Sequence, residues 1–337
     1  MAKKKDRYRR FPLITDITGM KSTFDILKPD QPRLNRALHS RTDKSHFDEK
    51  WFAAALREKI RTHPDNAKDF PFTGERIFDE PLVGFARGDD PIFKEYKGVI
   101  GSFHLTPQEI MRWQAEQNGV EPPGAADISV VSYILPIIKE TKRDNARREE
   151  WLSERWAQTR RAGEMFSRTV AGEIVAELMG DGILAVAPDS APFFGKKKYP
   201  GPGWASPWSH RHMAYAAGLG TFGVHDFLIT EKGAAHRCGS FVVALKLSPD
   251  RKRPDDIHAH CLFHQNGTCL ECAKKCPVQA ISEKGHDKDL CYGRVAKSLK
   301  YCIRNYHTFI IGCGLCSTGV PCESAIPKGA LKKDILS

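Results

Sequence analysis

A chain of 337 residues, 41% hydrophobic and 28% charged, has the apolar material for one large domain and a smaller one, and the composition of a soluble globular protein. No apolar run approaches the length of a membrane span, which excludes a helical membrane protein. The net charge of +11 draws about half its excess from the first ten residues, where Lys3, Lys4, Lys5, Arg7, Arg9 and Arg10 stand against Asp6.

That basic tail reads first as a solvated arm and second as a contact for phosphate or an acidic substrate. Arg9-Arg10-Phe11 hints at a twin-arginine export signal, but Pro12, Thr15 and Asp16 interrupt any apolar segment behind it, so a cytoplasmic location is expected. Residues 1–75 read as an N-terminal arm with one helix near 46–61, and residues 76–250 as the main domain. Within it, 128–138 is rich in β-branched residues and reads as a buried strand. A long helix is expected over 151–179, with Phe166, Val170, Ile174 and Leu178 forming its buried stripe and Gly180-Asp181-Gly182 ending it. A short strand follows at 183–187.

Next comes a Gly/Pro-rich loop, 193–208, holding Lys196, Lys197, Lys198 and two tryptophans; a loop of this length in a compact domain usually carries function. A helix is expected at 210–217, a turn at 218–223, and strands at 227–230 and 240–247. Residues 251–337 form the third segment. All but one of the ten cysteines lie there, from Cys261 to Cys322, the exception being Cys238. Such clustering indicates metal or iron–sulfur binding rather than a disulfide scaffold.

The first cysteine group is Cys261, Cys269, Cys272 and Cys276-Pro277; the second is Cys291, Cys313, Cys316 and Cys322. In bacterial two-cluster ferredoxins the fourth cysteine of each run ligates the other cluster. The same logic assigns Cys261, Cys269, Cys272 and Cys322 to one 4Fe–4S cluster, and Cys276, Cys291, Cys313 and Cys316 to a second. Cys238 and Cys302 are left as plain buried thiols, Cys302 on a helix over 295–306 and Cys291 in a loop. The spacing departs from the ferredoxin run: Cys261 lies eight residues before Cys269, and Cys322 is followed by Glu323 rather than proline. A zinc ribbon built on Cys269-x2-Cys272 and Cys313-x2-Cys316 is the competing reading, but it leaves Cys261, Cys276 and Cys322 without a role.

Two clusters make an electron wire, and the long stretch before Cys261 is expected to hold its terminus. Gly218-x-Gly220-x-x-Gly223 matches a dinucleotide fingerprint in letters alone, because a helix precedes it and a strand follows. Its glycines suit close backbone approach to a bulky planar ligand. The corrinoid pattern Asp-x-His-x-x-Gly is absent, so no protein histidine in that form would reach cobalt.

Trp208-Ser-His-Arg-His212, Ala216-Ala-Gly-Leu-Gly-Thr-Phe-Gly223, Leu228-Ile-Thr-Glu-Lys-Gly233 and the cysteine region together resemble the superfamily of epoxyqueuosine reductases and reductive dehalogenases, over about residues 81–327. The resemblance implies an α+β fold: a nitroreductase-like domain binding base-off cobalamin or a related corrinoid, followed by a ferredoxin-like domain with two 4Fe–4S clusters. Candidate corrinoid contacts are Trp208, Ser209, His210, Arg211, His212, Gly218, Gly220, Gly223 and Ser240. Asp189-Ser190-Ala191-Pro192 resembles the segment that carries the proton-donating aspartate of epoxyqueuosine reductases. Asp189 is therefore one candidate proton donor, and Tyr199, close in sequence to Lys196, Lys197 and Lys198, is the other.

The leading expectation is reductive dehalogenation of a small anionic organohalide held by those lysines, with electrons from ferredoxin or flavodoxin. Epoxyqueuosine reduction on tRNA is the alternative with the same chemistry, favoured by Asp189 and the positive charge. The sequence ends at Ser337 without the helical repeats with which epoxyqueuosine reductases often continue, and it lacks the twin-arginine signal of respiratory dehalogenases; a soluble, cytoplasmic dehalogenase-like reductase is the expectation that fits both. A non-catalytic two-cluster electron carrier is the alternative of another class.

Overall fold

The computed structural model describes residues 44–68, 71–200 and 203–330. The basic tail at residues 3–10 and the Gly201-Pro202 pair lie outside them. Among the described residues no helix is long and apolar enough to cross a membrane.

The centre of the fold is a four-stranded antiparallel sheet in the order β1 (Leu82–Arg87), β2 (Ser129–Pro136), β8 (His236–Val243), β3 (Ala185–Val186). Every residue of β2 is buried, as its β-branched composition requires of a strand covered on both faces. In the register of β2 with β8, Tyr133 lies opposite Gly239. A Cβ on Gly239 would sit 2.1 Å from the Tyr133 ring, so glycine there is what lets the tyrosine lie across the strand and donate its hydroxyl to the Ser167 carbonyl at 2.9 Å.

Helix α5 (Glu154–Gly180) runs 27 residues along the sheet. Ser153 caps it by accepting from Trp156 N–H at 3.2 Å, and Gly182, at φ +75°, turns the chain away at its end. Phe166, Val170, Ile174 and Leu178 form its buried stripe as the four-residue spacing predicts. Helix α1 (Glu49–Thr62) lies within the stretch read as an arm, and it buries Phe52, Leu56 and Ile60 completely. Its Phe52 ring sits 6.3 Å from Phe85 of β1 and 6.0 Å from Phe241 of β8. Helices α2 (Ile92–Val99), α3 (Pro107–Asn118) and α4 (Lys139–Ala146) complete the first half.

The loop at 193–208 contains a small hairpin, β4 (Lys197–Tyr199) against β5 (Gly203–Ala205). Helix α6 (His210–Ala216) leads through Gly218 into a second hairpin, β6 (Gly220–Phe222) with β7 (Leu228–Thr230). Strand β8 starts four residues earlier than the sequence pattern suggests and ends at Val243. The cysteine region holds two short helices, α7 (Leu262–Asn266) and α8 (Glu271–Lys274), the small β9 (Ile281–Ser282) and β10 (Gly285–His286) pair, and the long α9 (Lys288–Tyr306). Cys291 is on the first turn of α9 rather than in a loop, because Asp287 caps the helix upstream by accepting from the Asp289 and Leu290 N–H groups.

Because Phe52 is enclosed by three elements of the main core, Phe52→Ala should cost about 3–5 kcal/mol of unfolding free energy. Urea denaturation measures this; a loss under about 1 kcal/mol would put α1 outside the cooperative core.

Candidate functional site

The eight candidate ligands separate into two groups in space. Cys261, Cys269, Cys272 and Cys322 line one small cavity of about 20 Å³. Cys276, Cys291, Cys313 and Cys316 line part of a second, of about 370 Å³. This is the division that the crossed ferredoxin pattern expects. All ten cysteines are unpaired. Cys302 is enclosed in the main core at 0% exposure, and Cys238 lies on β8.

The late position of Cys322 has a local cause. Its carbonyl accepts from Ala234 N–H at 2.7 Å, and the Glu323 carbonyl accepts from Ala235 N–H at 3.1 Å. Gly233, at φ +79°, has no room for a Cβ, which would meet the Glu323 carbonyl oxygen at 2.3 Å. The segment around Cys322 is thus pinned to the backbone just before β8 and is carried back to the first quartet. Gly314, between Cys313 and Cys316, lies flat against the Trp156 ring; a Cβ there would come within 2.1 Å of it.

The sulfur chemistry fits iron–sulfur clusters. Burial, reinforced by the neighbouring Cys261 and Cys269, pushes the Cys272 thiol up to about 12. Burial and the same group do so for Cys322, also to about 12. Burial and then Cys313 and Cys291 raise Cys316 well above the ordinary thiol range. Thiols crowded this way become ligating thiolates only beside a strong positive charge. Among the described residues, no group of three His, Cys, Asp or Glu side chains converges on one point.

The larger cavity is strongly basic. Besides its cysteines, its lining includes Arg160, Lys196, Arg211, Arg237, His286 and Arg294. Glu164, one turn along α5 from Arg160, accepts from Arg160 at 3.0 Å, pairs closely with Arg237, and lies 3.6 Å from Arg168. Burial opposes the charge on Glu164, but Arg237 and Arg160 outweigh it and hold the carboxyl near 2. Lys196 is exposed, with the like charges of Arg160 and Arg211 acting on it. His286 has the opposite balance: burial works against its charge, but hydrogen bonds to Asp226 and Cys291 push it up to about 9.

Of the residues proposed from sequence for corrinoid and substrate, Arg211 and Lys196 line this cavity. Lys197 is exposed, and Lys198 pairs with Asp289 at 2.8 Å. Tyr199 is stacked on Phe103, with ring centroids 3.5 Å apart, and is not part of the lining. Asp189 lies behind the cavity in a buried chain of polar groups. It is 3.4 Å from His210 Nε2 and 3.6 Å from Arg168 Nε, and its Oδ1 has no partner. Burial would raise its pKa, but the His210 hydrogen bond and then Arg168 carry it below the usual carboxylate value.

The chain continues from His210 Nδ1 to Ser240 Oγ at 2.7 Å, and Ser240 Oγ accepts from Trp208 Nε1 at 2.9 Å. His212 is buried between Tyr96 and Phe222 and bonded through Nδ1 to Ser209 Oγ at 2.8 Å. The three motif glycines face protein: a Cβ would meet Arg251 at Gly218, the Ile229 carbonyl at Gly220 and the His225 ring at Gly223. Arg160, Arg237, His225 and His286 were not singled out from sequence. The only signal for the α5 charges is their four-residue spacing, which any solvated helix face shares.

No protein-family model matches the chain. Over 78 residues, 23% of this chain and 13% of the curated relative, it is 41% identical to tetrachloroethene reductive dehalogenase of Desulfitobacterium hafniense. The same figures hold for the enzyme of that name from Dehalobacter restrictus. The match therefore takes in a small part of those relatives' length, and it bears out the superfamily resemblance. Among solved structures, a reductive dehalogenase aligns with 74% of this chain and 31% of its own, at 18% identity and a TM-score of 0.44. Epoxyqueuosine reductase from Bacillus subtilis aligns with 83% of this chain and 68% of its own, at 13% identity and a TM-score of 0.40. These structural likenesses are weak, and the resemblance rests on the sequence match.

The two leftover cysteines give a direct check on the quartets. Cys302→Ser should keep the full complement of about eight iron atoms, while Cys291→Ser should lose about half. Iron analysis of anaerobically prepared protein giving the opposite pattern would reverse the assignment.

Proposed function

We propose that this chain, a relative by sequence of reductive dehalogenases, is a cytoplasmic iron–sulfur reductase that works with a base-off corrinoid and removes halide from a small anionic organohalide. The observation that carries this reading is the separation of the eight cysteines into two quartets, one of which opens onto a large basic cavity. Cavities that hold drug-sized ligands are usually ~300–1,000 Å³. The comparable space here, about 370 Å³, lies within that range and suits a small organic substrate beside a cluster, with a corrinoid reaching into the open mouth.

A corrinoid bound there would supply a strongly reducing cobalt centre. Arg211, Phe227, His236 and Arg237, all in the cavity lining, are the residues that would hold it. His236 has its Nε2 committed to the Leu228 carbonyl at 2.8 Å, so its role is to pack and orient. Lys196, with Arg160 and Arg211 beside it, provides the positive field for a substrate carboxylate or phenolate. Glu164 fixes Arg160 and Arg237 in place and leaves their outer N–H groups to the cavity. Electrons would arrive singly from a ferredoxin or flavodoxin.

Reduction of epoxyqueuosine in tRNA would use the same machinery but a different binding surface, with several phosphates to neutralise and a steep dependence on salt. Anaerobic protein supplied with cobalamin should show a broad shoulder near ~400 nm that bleaches on reduction, and should turn over halogenated aromatic or aliphatic acids. Lys196→Ala should raise KM for those acids by about tenfold or more, whereas Lys197→Ala, outside the cavity lining, should change it little. Turnover of epoxyqueuosine-containing tRNA alone, indifferent to Lys196→Ala, would refute the dehalogenase reading. Stoichiometric zinc in place of iron would refute the cluster reading beneath it.

A further inference from the structure

Resting on the two-cluster reading above, we infer that His225 donates a hydrogen bond to the Cys322 sulfur and thereby raises the reduction potential of the cluster held by Cys261, Cys269, Cys272 and Cys322. His225 is the second residue after the Gly218–Gly223 motif and is 2% exposed. Its ring lines both cavities, so it forms part of the wall between the two quartets. The Nε2 atom lies 3.5 Å from Cys322 Sγ, within hydrogen-bond range for sulfur.

The tautomer follows from the other side of the ring. Phe227 N–H points at Nδ1, 3.3 Å away, so Nδ1 accepts and carries no proton. With Nδ1 accepting, the imidazole carries its ring proton on Nε2, directed at the sulfur.

The ring is held there by packing. A Cβ on Gly223 would lie 2.5 Å from His225 Cε1 and 2.7 Å from Nδ1. The third glycine of the motif is therefore needed for the histidine to occupy its position. Phe227 packs against the ring from another side, edge-on, with centroids 5.4 Å apart.

A hydrogen bond to a ligating sulfur stabilises the reduced cluster, which carries one more negative charge, more than the oxidised one. The cluster with this bond is therefore easier to reduce. His225 is a positioning and tuning residue; it touches neither substrate nor the reacting bond. The other quartet receives different support, from Ala280 N–H on Cys276 Sγ at 3.2 Å and from His286 beside Cys291. Removing His225 should therefore act on one cluster only.

The test uses the whole iron-loaded chain and an EPR-monitored redox titration. His225→Phe keeps the ring's bulk and removes the donor. It should lower the midpoint potential of one cluster by about 59 mV, a tenfold shift in a one-electron equilibrium, and leave the other unchanged. His225→Gln can place an amide N–H near the position of Nε2 and should restore most of the loss. If His225→Phe does not fold, Gly223→Ala displaces the ring without removing it and should shift the same cluster in the same direction. Unchanged potentials in iron-replete His225→Phe or Gly223→Ala protein, or equal shifts in both clusters, would overturn the inference while leaving the cluster reading intact. Native protein that binds no iron would overturn both.

Discussion

Sulfur binds iron as thiolate, but burial favours the thiol. The cysteine region is organised around that conflict. Cys272, Cys313, Cys316 and Cys322 are all pushed above the ordinary thiol range by burial, each with neighbouring sulfurs adding to the penalty. The surroundings supply what offsets it: backbone N–H on Cys276, His225 on Cys322, His286 beside Cys291, and Arg294 near Cys313. On the proposed reading a cluster would supply the rest of the positive charge. The basic lining of the larger cavity would extend the same logic outward to a reducing centre that gains negative charge with each electron.

The same constraint ties the two halves of the chain together. Cys322 belongs to the first quartet only because its segment is hydrogen-bonded to the backbone at Ala234 and Ala235. The next residue, His236, opens β8, the strand paired with β2 at the centre of the sheet. A shift in that strand would move a cluster ligand. Trp156, at the start of α5, meets Gly314 between two ligands of the second quartet. Each quartet thus meets the scaffold of the sheet domain through a glycine where any side chain would collide.

The pattern of what the sequence discloses follows from which residues face hard chemical limits. A four-sulfur site needs four cysteines, so the grouping of the eight cysteines, four around each of two cavities, was foreseeable from spacing and the crossed ligand rule, including the distant Cys322. The stripe Phe166, Val170, Ile174 and Leu178 was legible because burial enforces helical periodicity. Helix α3 carries a readable start, in which Thr106 and Glu109 cap each other's backbone N–H groups and Pro107 follows, but its mostly polar composition hides it from a search for apolar stripes. Arg160 and Glu164 were not legible because a cavity-facing charged stripe and a solvated one have the same spacing. The motif glycines were read as clearance for a ligand; their nearest neighbours are Arg251, Ile229 and His225. A missing side chain signals a close approach without saying by what.

A proton donor must keep its proton until the reaction calls for it, so its pKa belongs near the working pH. Asp189 is held below the usual carboxylate value between His210 and Arg168. A carboxylate kept ionised is suited to orienting cations. Here it aligns Arg168, which in turn faces Glu164, the anchor for Arg160 and Arg237. From Trp208 through Ser240, His210, Asp189 and Arg168 to Glu164, one polar chain, buried at Trp208 and Ser240 and part-exposed at Arg168 and Glu164, therefore ends in the arginines that line the cavity. Lys196, exposed at the start of the β4–β5 hairpin, reaches the same cavity from that side. The arginines, always charged, are suited to holding an anion there.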